Sequence, residues 1–154
     1  MHAEGHRKPL DSFPAIRSRD PLRVESAVIE TYGAQKFALR QKTVRFDVRA
    51  NHWQSQNIAL SYCNYGAPVQ VTFPGADFYR QQFCLSGQAL DKIGRSTQPI
   101  SLLESPIVPP NTELLTDFGA EFEQIVLRID AAALKNKLVA LTGTTLRQHL
   151  TFEP

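Results

Sequence analysis

From about residue 36 the chain breaks into short runs of roughly six to ten residues, rich in β-branched and aromatic side chains and divided by glycine and proline. Such punctuation excludes long helices over this region and points to many short antiparallel strands folded into a sandwich or barrel. The clearest alternation is Thr43 to Arg49, with Val44, Phe46 and Val48 on one face and Arg45, Asp47 and Arg49 on the other. Further strands are expected over Asn57–Tyr65, Val69–Phe73, Asp77–Ser86, Gln88–Ile93, Ile100–Glu104 and Glu121–Ile129. Gly66-Ala67-Pro68, Pro74-Gly75-Ala76, Gly87 and Gly94 supply the turns between them.

Helical patterns flank this series. Asp20 can cap a helix over residues 20–32, Pro21 suits its first turn, where a missing N–H is no loss, and Gly33 stops it. Leu22, Ala27, Val28, Ile29 and Tyr32 form its apolar face. Asp130 can cap a second helix over 131–141, ended by Thr142-Gly143, and a third short helix is expected from Thr144 or Thr145, carrying Leu146 and Leu150. Residues 1–17, with Pro9 and Pro14 and no period, read as an irregular arm, leaving one domain over 18–154. At 154 residues the chain closes one core.

Composition narrows the function. There are 17 Lys and Arg against 15 Asp and Glu, a net charge of +2, so the chain lacks the concentrated basic face that phosphate neutralisation needs. No apolar run approaches the roughly 20 residues of a membrane span, and the first ten residues lack a secretory signal, so a soluble cytoplasmic protein is expected. The four histidines (His2, His6, His52, His149) form no His-x-His pair, and Cys63 and Cys84 are too few for a thiolate zinc site, so no metal or other cofactor is expected. No Gly-x-Ser-x-Gly elbow, phosphate loop or cysteine-nucleophile signature is present, and enzymatic activity is not expected.

What remains is an apolar interior with a few polar residues inside strands. In DFYRQQFCLS the alternation groups Tyr79, Gln81, Phe83 and Leu85 against Phe78, Arg80, Gln82 and Cys84, and the first set is the more apolar, hence the expected inward face. Gln81 is then a polar group among aromatic rings, either an orienting contact for a ligand or a partner of strand backbone. Tyr62, beside Ile58 and Leu60, needs a hydrogen-bond partner if enclosed. Phe46, Tyr62, Tyr79, Gln81 and Phe83 are the candidate ligand-binding residues. Arg45 could anchor an acid, but its place opposite the apolar face favours the surface.

The segments FPAIRSRDPLRVESAVIETYG, GADFYRQQFCLSGQ (75–88), IVLRIDAAALKNKLVALTG (125–143) and the closing LTFEP, taken in order, resemble the N-terminal effector-binding domain of AraC/XylS-type transcription regulators, in its AraC-binding-like, cupin-related subclass. One departure is RSTQPISLLESPIVPPN, where Gln98-Pro99 stands in place of a Gly-Asp turn. The resemblance implies a mostly β fold: a cupin-like antiparallel β-barrel (double-stranded β-helix) with an N-terminal helix and C-terminal helices. It further implies a small organic effector, aromatic or carboxylic, held in the barrel, with DNA contacted only through a C-terminal helix-turn-helix domain that this chain does not contain. The Leu134/Leu138/Leu141 stripe either packs on the domain's own sheet or pairs two subunits as a homodimer. An effector-independent dimerisation module and a small cupin enzyme are the competing readings.

Overall fold

The computed structural model describes residues 7–41, 46–145, 150 and 152. Eleven strands and two helices follow one another: β1 (Pro14–Ser18), α1 (Pro21–Tyr32), β2 (Lys36–Leu39), β3 (Val48–Gln54), β4 (Ile58–Asn64), β5 (Val69–Phe73), β6 (Phe78–Ser86), β7 (Ala89–Ile93), β8 (Ser96–Ile100), β9 (Ile107–Val108), β10 (Leu114–Phe118), β11 (Glu123–Asp130) and α2 (Ala131–Thr142). The strands form two antiparallel sheets, one ordered β1-β3-β4-β11-β6-β9 and the other β2-β5-β10-β7-β8. The expected double-stranded β-helix is therefore present as two facing sheets, not as a continuously hydrogen-bonded barrel.

Both helices start and stop where their caps dictate. The Asp20 carboxylate accepts from the Leu22 N–H at 3.0 Å, Pro21 occupies the first turn, and Gly33 at φ 67° donates its N–H back to the Ile29 carbonyl. Val24 and Val28, one helical turn apart, are fully buried, whereas Leu22 and Ile29 face outward, so the buried stripe is narrower than expected. In α2 the Asp130 carboxylate accepts from the Ala133 N–H at 2.8 Å. Gly143 ends that helix in the left-handed region, and none of its side chains is fully buried.

The core lies between the sheets. Val69, Val71 and Phe73 on β5 alternate with half-buried Gln70 and Thr72, and Leu114, Thr116 and Phe118 on β10 do the same. Phe46, Phe37, Tyr65, Phe118 and Phe122 then form a continuous run of rings with centroids 5.0–6.3 Å apart.

Several expected boundaries shift. Residues 14–18, the end of the supposed arm, form β1 on the edge of the larger sheet. Thr43, Val44 and Arg45 lie outside the described residues, and the strand read there begins at Val48 and continues to Gln54. The expected strand at 100–104 instead ends at Ile100: Ser101 and Glu104 close a tight turn, and Leu103 at its tip is 95% exposed. Pro99 is accommodated because β8 is an edge strand that need not donate every N–H. Short β2 and β9 carry too few residues to show a period. The third helix expected after Thr144 falls mostly on residues 146–149, outside the described residues.

Gly87, between β6 and β7, has φ 72°, and a Cβ there would lie 2.7 Å from the Glu121 carbonyl and the Phe122 nitrogen. Gly87→Ala should therefore destabilise the domain by about 1–3 kcal/mol, read as a lower urea midpoint at unchanged slope. An unchanged midpoint would show that this close approach is not structurally demanding.

Candidate functional site

At the centre of the larger sheet most inward residues are polar. Ser61 and Cys63 on β4, Arg80 and Gln82 on β6, and Gln124, Val126 and Arg128 on β11 meet Tyr32 from α1 and the rings of Tyr65, Phe73 and Phe118 around a cavity of about 30 Å³. A single water needs roughly 10–15 Å³, so the interior has room for about two or three waters and no organic molecule. At one end of the sandwich it meets a cleft of about 340 Å³, walled by the C-terminal turn of α1 (Thr31–Gly33), the β3–β4 turn, the loop from Pro74 to Phe78, and Arg80, Arg128 and Asp130. That volume is within the range of small-molecule sites. Tyr32, Arg80 and Arg128 line both spaces and form the boundary between them.

Arg80 and Arg128 are directly opposite each other on neighbouring antiparallel strands. Arg80 is only 8% exposed. Its guanidinium stacks 4.0 Å from the Phe73 ring centroid and 5.4 Å from that of Phe78, which Arg128 also faces at 5.0 Å. Burial, reinforced by the Arg128 charge, pulls Arg80 down to about 10, and burial lowers Arg128 as well. Beside them the Tyr32 hydroxyl is buried without a hydrogen-bond partner, and burial raises its pKa.

Deeper in, Asp91 on β7 is fully buried and accepts from the Thr116 hydroxyl at 2.7 Å, while its second oxygen and the side-chain amide oxygen of Gln82 have no partner among the described residues. Burial pushes the Asp91 carboxyl up to about 6, against the pull of the Thr116 hydrogen bond and the Arg80 charge. His52 Nδ1 is 2.7 Å from Ser61 Oγ, and burial lowers the imidazole pKa, favouring the neutral ring. Of this pair only Ser61 lines the interior cavity, which is too small for a substrate. Burial pushes the Cys63 thiol up to about 12, which removes it as a nucleophile. Among the described residues no three His, Cys, Asp or Glu side chains cluster as metal ligands.

The five candidate ligand-binding residues lie elsewhere. Because Arg80 and Gln82 point inward, alternation turns Tyr79, Gln81, Phe83 and Leu85 to the outer surface of the sheet. Phe83 is 38% exposed, which corrects its expected inward position. Tyr79 is covered by the C-terminal segment, its hydroxyl accepting from the Leu150 N–H at 2.9 Å and its ring edge-on to Phe152. Gln81 donates to Ser105 Oγ at 3.2 Å. Tyr62 also faces outward, and its hydroxyl donates to Glu123 at 2.6 Å, a carboxylate that Lys8 pairs at 3.2 Å. Phe46 is core, packed near Phe37. None of the five lines the cavity or the cleft. The inversion arises because the outer face is itself apolar and partly roofed by the chain ends, so apolarity did not mark the inside.

Two facing antiparallel sheets enclosing a side-chain-lined space that opens at one end define a cupin-type jelly roll, and solved structures of that class share the fold. A cupin superfamily protein from Desulfitobacterium hafniense superposes with a TM-score of 0.50 at 13% identity, covering 75% of this chain and 95% of its own. The cupin domain of Schizosaccharomyces pombe Cnp3 gives 0.50 at 12% identity, with 66% and 74% covered. The AraC-like transcriptional activator CuxR gives 0.61 at 11% identity over 84% of this chain, which spans 52% of the CuxR chain. The chain belongs to the AraC-binding-like domain family, whose pattern it matches over residues 24–154. No curated protein matches its sequence.

Asp91 makes stability pH-dependent. Its folded pKa of about 6 exceeds the ordinary 3.8, so the folded state holds this proton more tightly than the unfolded chain. Its contribution to stability should be greatest below about pH 4, fall as pH rises to about 6, and level off above, by on the order of 2–3 kcal/mol. Asp91→Asn, which retains an acceptor for Thr116, should remove most of that fall. Urea midpoints of both proteins at pH 4.5 and 7.5 test this, and parallel pH profiles would contradict it.

Proposed function

We propose that this domain is the sensing part of a transcription regulator, and that a small organic effector enters the cleft between α1 and the β3–β4 and β5–β6 connections. The observation that carries the reading is the cleft itself: about 340 Å³, opening onto a buried polar interior and bounded by the C-terminal turn of α1 and by Asp130 at the end of β11. Asp130, on its wall, is also the cap of α2. A ligand that displaces this carboxylate, or orders the end of α1 at Tyr32, changes how α2 is held. DNA contact falls to a separate domain, in keeping with the net charge of +2. The coupling required is about 1–3 kcal/mol and reciprocal between effector and DNA. Because α2 buries none of its residues fully and leaves Leu141 exposed, it is the element available to a second subunit or to that DNA-binding domain. Both family membership and the likeness to an AraC-like activator support a regulatory role over a catalytic one.

The 30 Å³ interior favours a second reading, a dimerisation module that works without an effector because its own side chains fill it. A thermal-shift panel of sugars, amines, aromatic acids and fatty acids separates the two. Sensing predicts that one class raises Tm by about 5–10 °C at a hundredfold excess over its Kd. No shift with any class, together with a tight dimer in sedimentation, would replace sensing with the second reading.

A further inference from the structure

We propose that Arg80 and Arg128 together grip the carboxylate of a singly charged organic acid in the cleft. This inference rests on the sensing reading and narrows it to one ligand class. Like charges directly opposite on adjacent strands destabilise a sheet, and these two guanidiniums hold such a position at the floor of a cleft. Among the described residues no carboxylate lies within 4.0 Å of either, since the ion pairs involve Lys8, Arg17, Arg19, Arg23 and Lys92 instead. Arg80 is nine-tenths buried, and the buried Asp91 carboxylate acts on it only through space, without a direct ion pair, so the guanidinium donors hold no carboxylate.

Stacking orients both groups without using their donors. Phe73 and Phe78 lie within 4.0–5.4 Å of the guanidinium carbons, and among the described residues no hydrogen bond engages the N–H groups of Arg80 or Arg128, which leaves them for a planar, bidentate acceptor. The unpartnered Tyr32 hydroxyl on the same boundary offers a further donor. The acidic residues on the cleft wall set the ligand's charge. Asp130 is held by the α2 cap, Asp77 is exposed at the rim and Asp91 pulls on Arg80 from deeper inside, so the two arginines have no surplus charge for a dianion. A monoanion is accommodated by the inner pair, while a dianionic phosphate meets repulsion at the rim and loses more hydration on entering. Ile58, Ala59 and Phe78 supply apolar wall for the body of the acid.

Isothermal titration of the whole chain at pH 7.5 tests this with matched acids and amides: benzoate with benzamide, hexanoate with hexanamide, and inorganic phosphate alone. At least one carboxylate should bind saturably, its amide at least tenfold more weakly, and phosphate more weakly still. Arg128→Gln should weaken the bound carboxylate at least tenfold while leaving the ligand-free Tm equal to or above that of the parent, because it relieves the cross-strand repulsion. Arg80→Lys, which keeps the charge but not the planar fork, should also weaken it. An amide or phosphate binding as tightly as the carboxylate would overturn the carboxylate assignment while leaving sensing intact. Carboxylate affinity that survives Arg128→Gln would overturn the site. Binding by no acid of the set would overturn the proposal, with sensing then judged on the sugars and amines of the wider panel.

Discussion

The register of β11 between β4 and β6 is the constraint on which the rest of the molecule depends. This strand, the last in the chain, fills the centre of the larger sheet and pairs with β4 from Glu123 to Ile129 and with β6 from Glu123 to Asp130. That pairing sets Arg128 opposite Arg80, turns Gln124 and Val126 inward, and brings the Ala131 N–H to the Asp77 carbonyl at 2.9 Å, where α2 begins. Because side chains alternate, a slip of one residue would carry Arg128 to the outer surface and bring Ile129 inside. Folding of the sheet and assembly of the cleft are thus a single event, and it involves sequence-distant strands.

The interior is unusual in its distribution of polarity. The smaller sheet contributes the apolar layer, through Val69, Val71, Leu114 and Phe118, while the larger one presents serine, cysteine, glutamine and arginine across from it. Ile16, Val48, Ala50 and Val108 add apolar residues to the core from the larger sheet's flanking strands, and Tyr62 and Tyr79 lie on its far side, under cover supplied by the chain ends: Lys8 and Pro9 near Tyr62 and Asn51, Leu150 and Phe152 near Tyr79. Among the described residues three buried polar atoms, on Tyr32, Gln82 and Asp91, have no partner. Such groups reduce stability, and two of them, with the arginine pair, border the cavity that joins the cleft. A site that gives up stability when empty recovers it when filled, which is what a sensor requires.

Much of the architecture was legible in the sequence because it is written in local chemistry. Asp20-Pro21 and Gly33 bracket α1, Asp130 and Gly143 bracket α2, and turn residues separate β4, β5, β6 and β7 close to their observed limits. The ordered resemblance to effector-binding domains carried the family. The inside of β6 was not legible, since that depended on which of two apolar surfaces the second sheet would cover and which the termini would. Reading Tyr79, Phe83 and Leu85 as inward was sound for a sheet with one wet face and failed for one with two covered faces. A signal was nonetheless present: Arg80 in DFYRQQF and Arg128 in IVLRI are cations set within otherwise apolar or aromatic strands. Tyr32 carried no such mark, because as the last residue of a capped helix it read as part of the apolar stripe.

The central claim is that the functional site is the mouth where the two arginines meet, and neither the closed interior nor the outer face of the large sheet. A crystal structure of the chain with a bound organic acid tests it most directly. The account predicts the acid's oxygens within hydrogen-bond distance of both Arg80 and Arg128, with its body along Ile58 and Phe78. A ligand seated against Phe83 and Leu85, or one touching neither arginine, would contradict it.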